Sequence, residues 1–178
     1  QAQTGSVTIT IEPLPTATIQ GNTSICQSSP QPSITFIGYE GVAPYTFSYQ
    51  LNGVLQPSVT TIGGDSISIS IPTNDTGTFV YELISVTDAN VVACTQAQTG
   101  NATITIKPRV NAGFSSTLVC SGNTTSFTNS STTAQGTITS WTWNFGDSSN
   151  PNTTQNPTHT YTSGGIYNVT LITNNSFS

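Results

Sequence analysis

Charge is what this chain has least of, with two Lys or Arg and seven Asp or Glu among 178 residues and a net charge of −5. The two cations, Lys107 and Arg109, flank Pro108. They cannot form the basic surface that a phosphate backbone or an anionic membrane requires, so neither nucleic acid nor direct membrane insertion is expected. Methionine is absent, His159 is the one histidine, and three cysteines, Cys26, Cys94 and Cys120, stand far apart. None of them forms a CxxC pair, and a single histidine cannot complete a common zinc site with them. Long hydrophobic runs are also missing: no window holds 18 consecutive apolar residues, and the first residues lack the charged and apolar regions of a secretory signal. Apolar residues do not recur at helical spacing over 11 or more positions, so essentially no helix is expected.

What is present is Thr, Ser and Asn on alternating, short apolar runs. The segments SITFIG (33–38), YTFSYQLNG (45–53), DSISISI (65–71), GTFVYELISV (77–86) and NATITI (101–106) alternate apolar with polar residues and are separated by Gly, Pro, Asn or Asp. Period-two alternation with such punctuation reads as half-buried strands, and an all-β sandwich follows. Tyr45, Phe47, Tyr49 and Leu51 share one strand face. Phe79, Tyr81 and Leu83 share another, opposite Glu82. Both faces are assigned to a core.

One segment recurs. QAQTGSVTITIEP (1–13) returns as QAQTGNATITIKP (96–108), and Gln1 to Gln96 is 95 positions. That spacing exceeds a solenoid unit and matches one whole sandwich. Residues 1–13 are therefore expected to be the last strand of a preceding repeat, 14–108 a complete repeat, and 109–178 a further domain. Gly100 is positioned to supply a bulge in the closing strand. Cys26 and Cys94 fall within one repeat and are expected to pair; closing 68 residues of chain would stabilise by about 4 kcal/mol in the chain-entropy account. Cys120 is then the odd cysteine, with its partner expected outside the fragment. Paired cysteines imply an oxidising, extracellular setting.

The stretch NDTGTFVYEL resembles the corner before strand F of immunoglobulin domains, with Phe79 in the tyrosine position. QTGNATITI is similar to the Gly-bulged final strand of such domains. In the second half, SWTWNFGDSSNPNTTQNPTHTYTSGGIYNVTL resembles the PKD family of small β-sandwiches over roughly residues 110–178. The match lies at Trp141, Trp143, Asn144, Phe145, Gly146, Asp147, Pro157, His159, Tyr161, Gly165, Tyr167 and Val169. The resemblance implies tandem immunoglobulin-like sandwiches, the second PKD-like and truncated before its last strand. GYEGVAPYTFSYQLNG is similar to the core of repeats in giant gliding-motility adhesins of bacteroidete bacteria. That likeness implies export by the type IX secretion system to the cell surface, adhesion and gliding. It implies neighbouring repeats of the same chain as partners, with surface polysaccharide or other envelope proteins as further candidates.

Read physically, Trp141, Trp143 and Phe145 alternate onto one strand face and supply buried area. Gly146 and Asp147 turn the chain, with Asp147 accepting backbone hydrogen bonds; calcium ligation with Asn144 or Asn150 is the alternative. His159, Tyr161 and Tyr167 are read as structural. Asn22, Asn74, Asn101, Asn123, Asn129, Asn152, Asn168 and Asn174 begin N-x-[ST] triplets, and Asp65–Ile67 resembles a short bacteroidete O-glycan site. Glu12, Glu40, Asp65, Asp75, Glu82, Asp88 and Asp147 are scattered, without the motif of a carboxylate pair, and no phosphate loop or Ser/His/Asp set appears. Neither catalysis nor a cofactor is expected. An accessory region of a secreted hydrolase and a glycosylated receptor ectodomain are the competing readings.

Overall fold

The computed structural model describes residues 3–177. Two compact units divide the chain after Ile106, with Cys26–Ser28 grouped with the second. Both are β-sandwich structures, and no helix occurs among the described residues.

The first unit contains β1 (Thr16–Gln20), β2 (Thr23–Cys26), β3 (Ser33–Tyr39), β4 (Thr46–Leu51), β5 (Val54–Leu55), β6 (Val59–Thr60), β7 (Ser66–Ser70), β8 (Gly77–Thr87), β9 (Thr95–Ala97) and β10 (Asn101–Lys107). One sheet has the order β1-β3-β7, and the other β2-β10-β8-β4-β5, with β6 on β4 and β9 on β8. Alternation decides which side chains turn inward. Ile34 and Phe36 of β3, Phe47 and Tyr49 of β4, Tyr81 and Leu83 of β8, and Ala102, Ile104 and Ile106 of β10 meet in one core. Phe36 joins the two sheets, stacking on Phe47 at 5.5 Å and tilting against Tyr49 at 5.1 Å. The aromatic faces expected to be core are core, and Phe79 packs against them.

In β8 strict alternation is interrupted at Ile84. Tyr49 pairs with Leu83 and Ser48 with Ser85, which leaves Ile84 as an extra residue in β8. This bulge resets the phase, so Leu83 and Val86, three residues apart, both enter the core while Ile84 stays exposed. A tight Asn52-Gly53 turn, with φ of 49° and 79°, adds β5, because two successive positive φ values suit a two-residue hairpin.

The expected Cys26–Cys94 bridge is not formed, and Cys26, Cys94 and Cys120 are free thiols. Strand register gives the reason. Thr103 N–H donates to Asn22 Oδ1 and Gln27 N–H to Lys107 O, so β2 runs in the same direction as β10, toward Lys107. At that end Ile106 pairs with Gly77, whereas Thr95, next to Cys94, pairs with Thr87. Gly77 to Thr87 spans roughly 33 Å of strand, far beyond the ~7 Å between Cα atoms that a disulfide tolerates.

The second unit contains β11 (Val110–Asn111), β12 (Phe114–Ser116), β13 (Thr124–Asn129), β14 (Thr132–Thr133), β15 (Ile138–Asn144), β16 (Thr158–Thr160) and β17 (Thr170–Asn175). The pairings are β11-β14, β12-β13-β16 and β15-β17. Trp143 and Phe145 are buried with Phe127, and Trp141, Tyr161, Val169 and Leu171 pack around them. Trp143 takes Phe114 edge-on at 5.0 Å, and its Nε1–H donates to Thr154 O at 2.9 Å, so the largest buried ring is also polar-satisfied.

Candidate functional site

In the second unit, the turn after β15 gathers most of the polar residues singled out by sequence. Asn144 Oδ1 accepts the Gly146 N–H at 2.9 Å, a side-chain turn that Asn forms readily. Gly146 follows with φ of 78°, and a Cβ there would meet Asn168 O at 2.6 Å. Only glycine fits that combination of backbone angle and close approach. The turn delivers Asp147 toward β16, where His159 pairs with Thr125 of β13.

Both carboxylate oxygens of Asp147 are engaged. Oδ1 accepts the Ser149 hydroxyl at 2.6 Å and the Ser149 N–H at 3.1 Å. Oδ2 lies 2.7 Å from His159 Nε2. An ionised carboxylate offers only acceptors, so the proton of this bond sits on Nε2. The Ser149 hydroxyl bond, then the His159 bond, lower the Asp147 carboxyl from 3.8 to about 2, with partial burial opposing them. Asp147 is therefore an anion throughout the physiological range. The imidazole stacks flat on Phe145 at 4.2 Å with 6° between planes, and Tyr161 meets it edge-on at 4.6 Å. Tyr161 donates its hydroxyl to Phe145 O at 3.0 Å. Burial, then the Asp147 charge, push its phenol upward. Tyr167 stacks on Tyr161 at 4.1 Å and donates to Ser163 O.

A His–Asp pair can also orient a general base, but that chemistry needs a nucleophile hydrogen-bonded to the imidazole. Here the nearby hydroxyl, Ser149 Oγ, donates to Asp147 instead. The cluster closes a turn. The oxygens of the calcium alternative, Asn144 Oδ1 and both Asp147 oxygens, already accept hydrogen bonds. Among the described residues no group of three or more His, Cys, Asp or Glu side chains could hold a metal ion.

Beside this latch a groove of about 310 Å³ lies between residues 116–125 and 161–169, with Tyr161, Tyr167, Val169 and Cys120 along it. In the first unit, Asp88 is a residue whose role sequence reading missed. It is buried and clamps two loops, accepting the Cys94 N–H at 2.8 Å and the Val42 N–H at 3.4 Å. Its only sequence signal was an acid directly after an apolar strand. Of the triplet asparagines, Asn22, Asn129 and Asn152 have their side-chain oxygens engaged by Thr103, Ser131 and Thr154.

Residues 105–178 match the family model of the PKD domain. No curated protein matches the chain. Among solved structures it is similar to the CARDB domain of the PF1109 protein from Pyrococcus furiosus, at 14% identity over 56% of this chain and 98% of that one, with a TM-score of 0.38. It is similar to fibronectin(III)-like modules of CbhA from Clostridium thermocellum, at 9% identity over 90% and 86%, TM-score 0.38. A 1.5-MDa bacterial ice-binding adhesin also aligns, at 10% identity over 93% and 55%, TM-score 0.37.

Proposed function

We propose that this chain, whose residues 105–178 follow the PKD plan, is a stalk segment of an exported bacterial cell-surface adhesin. It serves surface attachment and gliding and does no chemistry itself. The observation that carries the reading is two β-sandwich units in one chain, with hydrogen-bonded polar clusters that hold turns and loops: Asp147, Ser149 and His159 in the second unit, Asp88 in the first. A segment that recurs after 95 positions supports a serial array. An eleven-residue strand such as β8 runs roughly 36 Å, so sandwiches in series make a long spacer that holds a gripping tip away from the envelope. The low charge suits a surface that neighbouring repeats and neutral polysaccharide contact without long-range attraction or repulsion.

The polypeptide reaches the outer face by type IX secretion in this reading, and its partners are neighbouring repeats, surface polysaccharide and other envelope proteins. Antibodies raised against the 178-residue chain test it. They should label intact cells and reduce attachment, and deletion of the gene should abolish spreading on agar. Labelling that appears only after lysis, or normal attachment in the deletion strain, would reject the proposal.

A further inference from the structure

Residues 3–13 carry a contradiction. Val7, Ile9 and Ile11 alternate as in a strand, yet they are 85%, 79% and 89% exposed, and the segment joins no sheet. Three branched apolar side chains on one bare strand face are a pairing hazard that proteins usually cover. The second copy of the same sequence shows what covers them. Aligning the repeats matches Val7, Ile9 and Ile11 with Ala102, Ile104 and Ile106 of β10, which are 0%, 0% and 1% exposed. β10 lies between β2 and β8.

The repeat preserves more than apolar pattern. Gln98, whose side-chain oxygen accepts the Ala17 N–H at 3.1 Å, corresponds to Gln3. Gly100, with φ of 137° and its carbonyl accepting the Leu83 N–H, corresponds to Gly5. Such a glycine suits an irregular step in a strand that is paired in a sheet.

We infer that residues 3–13 form the closing strand of another sandwich of the first unit's type, on the N-terminal side in the same polypeptide, seated between its counterparts of β8 and β2. This interaction surface stands apart from the adhesion reading and would hold for any serial array. The pairs Val7/Ala102 and Glu12/Lys107 distinguish the acceptor from an identical copy of the first unit. It has room for two more methyl groups opposite Val7.

The test places a second copy of residues 14–95 directly ahead of Gln1 in the full chain and follows hydrogen exchange. In the 178-residue chain the amides of residues 7–11 should exchange at unfolded rates. In the extended chain they should slow by about a hundredfold or more. Ile9→Asp with Ile11→Asp should abolish that protection and unfold the added copy, while β10 of the original unit remains as protected as before. Val7→Ala, which restores the size found at Ala102, should raise the unfolding midpoint of the added copy. Three results would overturn the inference. One is absence of protection with and without Val7→Ala. Another is an added copy indifferent to the Ile9 and Ile11 changes. The third is protection in the 178-residue chain that grows with protein concentration, which would assign the segment to pairing between copies.

Discussion

The two units solve the same problem with different means. Among the described residues, the first buries fourteen core side chains, mostly Ile, Val, Leu and aromatic residues spread over five strands and two loops. The second buries three, Phe127, Trp143 and Phe145, and adds a polar latch of Asp147, Ser149 and His159. A large dispersed core loses a modest share of its stabilisation when one side chain is removed, whereas a core built on one tryptophan loses much of it. A short sandwich thus compensates for a small core with stacked aromatics and a hydrogen-bonded turn, at the cost of sensitivity to single changes and to acid.

Trp143→Ala should have the largest effect. Removing a fully buried indole costs about 3–5 kcal/mol, a large part of the ~5–15 kcal/mol that holds a typical domain folded. Amides of β15 and β17 should lose protection in hydrogen exchange while those of β8 and β10 keep theirs, and loss in both units would break the comparison. Ile104→Ala should cost about 2–5 kcal/mol yet leave the first unit folded. A lower urea midpoint with an unchanged slope would show this. Gly146→Ala forces φ of 78° on a residue with a Cβ and a clash with Asn168, and should lower stability by about 1–3 kcal/mol in the same titration.

Acid sharpens the contrast. The Asp147 carboxyl is lowered in the folded chain from 3.8 to about 2, so the unfolded chain takes up its proton first. The stabilisation from the latch is complete above about pH 4 and disappears as pH falls toward 2. Thermal melts across that window should show the second unit weakening, and Asp147→Asn should flatten that slope while lowering the melting temperature at neutral pH. The smallest effect is expected from Cys26→Ser at an exposed site, within about 0.5 kcal/mol, with dithiothreitol changing nothing. Thiol titration of the unfolded, unreduced chain should count three thiols, and a count of one would restore a bridge.

Much of the fold was legible because its signals are local. Alternation placed β3, β4, β7, β8 and β10, and each apolar face assigned to a core lies in one. The PKD-like signature brought Trp143, Phe145, Gly146, Asp147 and His159 to attention before any geometry was known. Illegible parts depended on register. The bulge at Ile84 has no punctuation in GTFVYELISV; it exists because β4 must pair on both sides of it. Ser149 carried no signal, since its importance comes from the carboxylate two residues earlier. Cysteine pairing failed for the same reason, because membership of one repeat says nothing about which end of a strand a residue occupies.

The sequence alone determined the strand periodicity, the turn residues, the near absence of charge and the recurrence of a closing strand, all properties that nearest neighbours along the chain impose through sterics and water. Only the tertiary structure decided that Asp147 takes His159 and Ser149 together, that Cys26 and Cys94 lie toward opposite ends of their sheet, and that Ala102, Ile104 and Ile106 of β10 enter the core between β2 and β8. Those outcomes depend on which distant strands pair, and one local pattern is compatible with several pairings until a shared core selects among them.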